Sequence, residues 1–271
     1  VALARAAELA GTVMVVSTTA TIGLEEVAAS TPAAKWFQVY IYQGREYTRE
    51  LVRRAVQSGY RALVLTVDAP VLGRRERDIR NGFTLPAGMH IANASTAGMD
   101  EVPTATTDAS GLMRHFRGLH DAGLTPRDIS WLSDVSGLPV VVKGIVRGDD
   151  ARRAVEHGAA GVIVSNHGGR QLDTAVATAR ALREVVDAVN GAAEVYVDGG
   201  IRRGTDVLKA LAMGARAVLV GRPPLWGLAV GGSEGARHVL ELLRNELDLA
   251  MALAGCCGVS DITSDLIVGG A

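Results

Sequence analysis

The chain has 271 residues, of which 48% are hydrophobic and 21% charged, and its formal net charge is −1. A balance this neutral argues against a general nucleic-acid binder or a basic membrane-surface protein. No apolar run reaches the ~20 residues of a membrane span and no signal peptide is visible. The two cysteines, Cys256 and Cys257, are adjacent. They cannot frame a disulfide scaffold, and a reducing cytoplasm fits.

The first residue is Val1, and VALARAAELA reads as a helix ending at Gly11. The sequence thus opens inside an element and is expected to be a piece of a longer protein. TVMVVS (12–17) is a buried strand, continuous in apolar and β-branched residues. GLEEVAAS is a short helix, KWFQVYI (35–41) a strand, and YTRELVRRAVQSG a helix stopped by Gly59. ALVLTVD (62–68) is the next strand.

The rhythm then breaks. Residues 69–125 carry Pro70, Pro86 and Pro103 among many Gly, Ser, Thr and Ala, with little periodicity. A connection this long in a compact domain reads as a functional lid or a mobile insertion. The rhythm resumes with TPRDISWLSDVSG as a helix capped by Thr125 with Pro126 at its first position. LPVVVKG follows as a strand, RGDDARRAVEHG as a helix and AGVIVSN as a strand. TAVATARALREVVDAVNG is a helix, AEVYVDGG a strand, RRGTDVLKALAMG a helix and ARAVLVGR a strand. PLWGLAV and GARHVLELLRNELDLAMALAG are two closing helices.

Seven strands therefore alternate with helices, which implies parallel pairing and right-handed crossovers. The opening helix requires a strand before it, making eight. The expected fold is an α/β (β/α)8 TIM barrel, one domain over 1–271, lacking its N-terminal segment and first strand in this sequence. On that count residues 69–125 are a lid-like insertion after the fourth barrel strand. A doubly wound open sheet would carry dinucleotide glycines after its first strand, and no G-x-G-x-x-G stands there.

The strand ends carry the chemistry. VIVSNHGGRQLD (162–173) delivers His167 and Arg170 into a glycine turn. His167 is a candidate base, because an unperturbed imidazole titrates near neutrality. Asp68 could orient it. Arg170 presents a planar fork suited to a carboxylate. VYVDGGIRRG places Asp198 and two glycines before a helix start at Arg202, and AVLVGRP ends in Gly221-Arg222. Two glycine-arginine turns on consecutive strands, with a helix N-terminus, suggest a phosphate site. Lys143 ends the VVVK run and is costly there unless paired. It suits a cofactor with an electron-rich group, or a Schiff base. Ser17, Gln38, Tyr40 and Thr66 complete a polar mouth, with Gln38 and Tyr40 on one strand face. Together these suggest proton abstraction beside a carboxylate, with a phosphate-bearing cofactor taking the electrons. No metal set is expected. His90, His115, His120, His157 and His238 lack ligand spacing and read as surface residues.

SNHGGRQLD, VVVKGI, VDGGIRRGTDVLKALAMGA, VGRP, FQVY and LTVDAPVLGRRERDIRNGF resemble the FMN-dependent α-hydroxy-acid oxidising family. That family includes glycolate oxidase, lactate oxidase and mandelate dehydrogenase. The resemblance runs over nearly the whole chain except the loop after Phe83. It implies FMN as cofactor, with Ser17, Gln38, Thr66, Lys143 and Ser165 against the ring or ribityl chain. It implies Asp198, Gly200, Arg202, Gly221 and Arg222 at the ribityl and phosphate. His167 would remove the substrate proton with Asp68 supporting it, whether the electrons leave as hydride or through a carbanion. Arg170 would bind the carboxylate, Tyr40 the substrate oxygens, and Arg75 would stand nearby as a second cation. Thr19 replaces the bulky tryptophan of short-chain glycolate oxidases, which favours lactate, mandelate or medium-chain acids. The family's N-terminal flavin contact and an earlier substrate tyrosine are not in this sequence. The expected partners are a small 2-hydroxy acid and oxygen or another electron acceptor, in a cytoplasmic homotetramer. Oxygen is favoured because 69–125 has no long apolar segment to dock on a bilayer. The alternatives are a dehydrogenase with a different acceptor, a catalytically incomplete FMN-binding barrel, or another FMN barrel such as an isomerase.

Overall fold

The computed structural model describes residues 1–95 and 120–268. All seven expected strands are present: β1 (Met14–Ser17), β2 (Lys35–Val39), β3 (Ala62–Thr66), β4 (Val140–Ile145), β5 (Gly161–Val164), β6 (Glu194–Asp198) and β7 (Ala217–Leu219). They form one sheet in the order β1-β2-β3-β4-β5-β6-β7, and every pair is parallel. A doubly wound sheet reverses its strand order midway; this one never does. Right-handed crossovers in unbroken order put every connecting helix on one face, so the sheet must curl around the other.

The side-chain parity shows that curl. One residue from each strand points to a shared interior cluster: Val15, Trp36, Val64, Val141, Ile163, Tyr196 and Leu219. The Trp36 and Tyr196 rings meet edge to face with centroids 5.5 Å apart, although β2 and β6 are four strands apart in the order. A flat sheet would hold them roughly 19 Å apart at the usual inter-strand spacing. The alternate residues, such as Phe37, Leu63, Leu65, Val140, Val142, Val162, Val164, Val195 and Val197, belong to the larger core. This is the α/β barrel architecture, with its interior filled by side chains.

The helices form the outer layer: α1 (Ala2–Leu9), α2 (Leu24–Ala29), α3 (Arg45–Gln57), α4 (Glu76–Arg80), α5 (Ala92–Ser95), α6 (Arg127–Ser136), α7 (Gly148–Glu156), α8 (Thr178–Val189), α9 (Gly204–Ala212) and α10 (Arg222–Leu253). The two closing helices of the sequence are the two arms of α10, broken by non-helical backbone at Gly231 and Gly232. The arms fold back closely enough that a Cβ on Gly227 would lie 2.3 Å from the Gly235 carbonyl oxygen. Helix α1 packs on α10, with Ser233 Oγ donating to the Ala2 carbonyl at 3.0 Å and Arg244 donating to the Ala10 carbonyl. The helix before β1 thus meets the helix after β7.

Three expectations need correction. Residues 69–125 read as almost without periodicity, yet the described portion contains α4, α5 and a fully buried Asn93. Asn93 accepts from Leu24 N at 2.9 Å and donates to the Thr18 carbonyl at 3.1 Å. A peg of this kind has no periodic signature. The lid expected over the remainder falls largely at 96–119, outside the described residues. His115 lies there too. His120 was expected at the surface but is 3% exposed. It is bridged to Tyr42 and stacked on Tyr40 at 4.6 Å between ring centroids. Helix α8 also starts at Thr178, later than expected, since Thr174 has φ +58, which a helix cannot use.

Candidate active site

The site is built by continuing the interior parity past the strand ends. Val15 is followed on the same face by Ser17, Trp36 by Gln38, Val64 by Thr66, Val141 by Lys143, Ile163 by Ser165 and Tyr196 by Asp198. Six strands therefore place six polar residues in one tier directly above the apolar plug. The tier is zipped together. Gln38 Oε1 accepts from Ser17 Oγ at 3.2 Å and from Thr18 N at 3.2 Å, while its Nε2 donates to Thr66 Oγ1 at 3.1 Å. Lys143 Nζ donates to Ser165 Oγ at 2.8 Å and lies 3.3 Å from Asp198 Oδ2. The lysine that would be costly alone is thus paired across three strands. Asp198 Oδ1 is buried with no hydrogen-bond partner among the described residues.

A second tier stands above the first. Tyr40 and Asp68 continue β2 and β3 by two more residues each beyond Gln38 and Thr66. His167 is reached differently, through a tight turn with φ +56 at His167 itself. Ser165 Oγ accepts from His167 N at 3.1 Å, and Asn166 Oδ1 accepts from Gly169 N at 3.2 Å, so side chains satisfy the turn's amides. The result brings His167 Nδ1 to 2.8 Å from Asp68 Oδ1, joining residues 99 positions apart. Gly144 makes room for Asp68: it has φ +112, and a Cβ there would stand 2.6 Å from Asp68 Cβ.

Tyr40, Arg75 and Arg170 share the space above. Burial, then the Asp68 carboxylate, pushes the Tyr40 phenol up to about 12, against a smaller opposite pull from Arg75 and Arg170. Arg75 is lowered by burial and then by the like charge of Arg170. Its Nε is buried without a partner among the described residues. Two guanidiniums facing one buried phenol make a pocket suited to an anion.

The two glycine-arginine turns are only partly as expected. Gly199 and Gly200 have φ +85 and +80, and a Cβ on Gly200 or Gly221 would meet nothing within 4 Å. Arg222 reaches back so that its Nη2 would lie 3.5 Å from a Cβ on Gly168, linking the turn after β7 to the turn after β5. Arg202, by contrast, lies over the Trp226 ring at 5.2 Å and donates to its neighbour's carbonyl, Ile201, at 2.8 Å. The start of α9 was expected to offer amides to an anion. Its amides are already taken: Arg202 N and Arg203 N donate to Asp206 Oδ2 at 2.9 and 3.0 Å, and Gly204 N donates to Glu246 Oε2 at 2.8 Å. The Gly204 amide and then Arg203 hold the Glu246 carboxyl below its usual range. What remains open for an anion is the Gly199-Gly200 turn with Gly221 and Arg222. Pro223 and Pro224 follow and carry no N–H.

Reading strand ends alone passed over Thr18, Gly144 and Gln171. Thr18 is fully buried and holds the Gln38 backbone. Gln171 stands inside a motif already singled out, but its partners lie about a hundred residues away and only folding reveals them.

The comparisons with known proteins agree with this geometry. The family model described as FMN-dependent dehydrogenase matches residues 1–269. The chain belongs to that family. It is 57% identical over 270 residues to an L-lactate oxidase of Nostoc sp., covering 98% of this chain and 74% of that protein. It is 53% identical over 262 residues to a peroxisomal (S)-2-hydroxy-acid oxidase of Oryza sativa subsp. japonica, covering 97% and 70%. Among solved structures, a mandelate oxidase with (S)-4-hydroxymandelic acid superposes with a TM-score of 0.91 at 46% identity, covering 97% of this chain and 73% of that one. This member of the family is accordingly an FMN enzyme of the 2-hydroxy-acid-oxidising class. Its residues fit that cofactor: an open glycine cradle with arginine for a phosphate, a paired lysine, and a partnerless buried Asp198 oxygen among the described residues. No helix among the described residues is long and apolar enough to cross a membrane.

Proposed function

We propose that this enzyme oxidises an L-2-hydroxy acid to the 2-oxo acid and passes the electrons to oxygen. Ser17, Gln38, Thr66, Lys143 and Ser165 would hold the flavin ring and ribityl chain, with Asp198, Gly200, Gly221 and Arg222 at the ribityl and phosphate, and Arg202 would join them by exchanging the Ile201 carbonyl for the phosphate. When bound, FMN supplies an acceptor for the two electrons that leave the carbinol carbon. Ser165 and Asp198 fix the Lys143 ammonium, which would supply a cation to an electron-rich part of that ring.

The observation that carries the reading is the His167–Asp68 pair, directly above the cofactor tier and below two cations. With Nδ1 engaged by Asp68 at 2.8 Å, Nε2 is the nitrogen left to take a proton from the substrate. Asp68 fixes the ring's orientation and stabilises the imidazolium that forms. Arg170 and Arg75 bind the carboxylate, and a bound carboxylate relieves their mutual repulsion. The Tyr40 phenol, kept neutral by burial, donates to a substrate oxygen. Thr19 bonds to Ser17 at 3.0 Å and leaves the wall small, which supports a lactate- or mandelate-sized side chain. The described stretch from Asp68 to Arg75 would form one side of this mouth, within a single domain.

Anaerobic lactate, mandelate or glycolate should bleach the yellow flavin. Readmitting air should restore the colour and yield hydrogen peroxide. No bleaching across a broad panel of 2-hydroxy acids would falsify the reaction. Recolouring only with an artificial acceptor would replace oxygen by another acceptor.

A further inference from the structure

The turn that carries His167 and Arg170 continues into Gln171, and this amide reaches across to the turn after β3. Its Nε2 donates to the Asp68 carbonyl at 3.2 Å and to the Val71 carbonyl at 3.0 Å. Its Oε1 accepts from Gly73 N at 3.1 Å. One side chain thus grips three backbone groups of the segment running from Asp68 towards Arg75. The segment lies so close that a Cβ on Gly73 would be 2.6 Å from Arg170 O, Gln171 Cα and Gln171 O.

We propose that Gln171 is a positioning residue that sets the spacing of base, carboxylate partner and both cations. The inference rests on the reading of His167 and Asp68 given above. The bonding of β3 to β4 runs as far as Val67, whose N–H donates to the Lys143 carbonyl at 2.9 Å, and Asp68 stands one residue beyond it. Gln171 restrains it through the Asp68 carbonyl, and Gly144 supplies the wall on the other side. Because Gln171 adjoins Arg170 and follows His167 by four residues, any movement of the His167 turn carries the Asp68 turn with it. The His167–Asp68 contact therefore survives displacements that would separate a pair of independent loops.

The test is a cycle on the flavin-loaded enzyme with Q171L, Q171E, D68N and the double variant Q171L/D68N. Q171L removes all three bonds. Q171E keeps the side chain's size and its acceptor but loses both donors, so it reports on the donors even if Q171L folds poorly. Each single variant at Gln171 should lower the rate of flavin reduction at saturating substrate roughly 10- to 100-fold. Flavin retention should be unchanged, and the loss should fall mainly in kcat. In the D68N background, Q171L should cost less than about 3-fold, since its effect passes through Asp68. Amide hydrogen exchange at Gly73 should quicken in Q171L without any substrate present. The same fold-loss with and without Asp68 overturns the proposal, as does wild-type kcat in Q171E or unchanged exchange at Gly73. These results are distinct from failure of the functional reading, in which the unsubstituted enzyme itself reduces no flavin with any 2-hydroxy acid.

Discussion

Gly144→Ala tests most directly how the fold admits the proposed chemistry. Gly144 stands where the β4–β5 register shifts, between Lys143 of the cofactor tier and Ile145 of the outer core. Its φ of +112 is a conformation that L side chains rarely adopt. That strain alone costs about 1–3 kcal/mol. An added Cβ would also stand 2.6 Å from Asp68 Cβ, 2.8 Å from Asp68 Cγ and 2.8 Å from Asp68 N. Rotating the carboxylate cannot clear the last of these, because it is backbone. Forcing such a contact adds about 1–3 kcal/mol. The expected loss is therefore about 2–6 kcal/mol, measured by urea unfolding of the flavin-loaded enzyme. Gly59→Ala is the control: φ is +79 but a Cβ there meets nothing within 4 Å, so only the strain applies. The difference between the two variants isolates the Asp68 contact. Movement of Asp68 off His167 should also slow flavin reduction in Gly144→Ala and leave Gly59→Ala unaffected. Equal stability losses in the two variants, with equal rates of flavin reduction, would refute the reasoning.

Three further predictions concern charge. Lys143→Met leaves the partly buried Asp198 carboxylate without its cation, at a cost of about 3 kcal/mol, and should weaken FMN retention, read by the fluorescence of released flavin. Arg75→Met removes a half-buried cation that faces Arg170, so the substrate-free enzyme should melt no lower than wild type while KM for the hydroxy acid rises about 10-fold; a lower melting temperature with unchanged KM contradicts the assignment. Tyr40 is raised from 10 to about 12, so the folded state holds its phenolic proton more tightly than the unfolded chain. Its contribution is complete below pH 10 and is lost as pH rises through 12, by about 2–3 kcal/mol. Tyr47 is raised to about 12 as well and steepens the same fall. Denaturant midpoints measured across that window should show a shallower slope in Tyr40→Phe than in wild type.

Local periodicity was enough to read all seven strands, because strand and helix patterns repeat within a few residues. The same alternation carried the cofactor tier: a residue two beyond an interior apolar residue must face the mouth, whatever its partners. Ser17, Gln38, Thr66, Lys143, Ser165 and Asp198 are all legible on that ground. The two closing helices were likewise legible, and they are the arms of α10 on either side of Gly231 and Gly232. Tertiary structure alone decided which of these residues touch. Lys143 suited an electron-rich cofactor or a Schiff base, and only the curl of the sheet brings it to both Ser165 and Asp198. The α9 amides looked open to an anion until Glu246, more than forty residues on, proved to fill Gly204 N. His120 read as a surface residue because it lacks ligand spacing with the other histidines; Tyr40 and Tyr42, just past β2 and about eighty residues earlier, bury it. The grip of Gln171 on Asp68, Val71 and Gly73 is invisible for the same reason. A sequence states which way each side chain leaves its own strand. The distance between two strand ends depends on how the sheet closes, and that is a property of the whole chain.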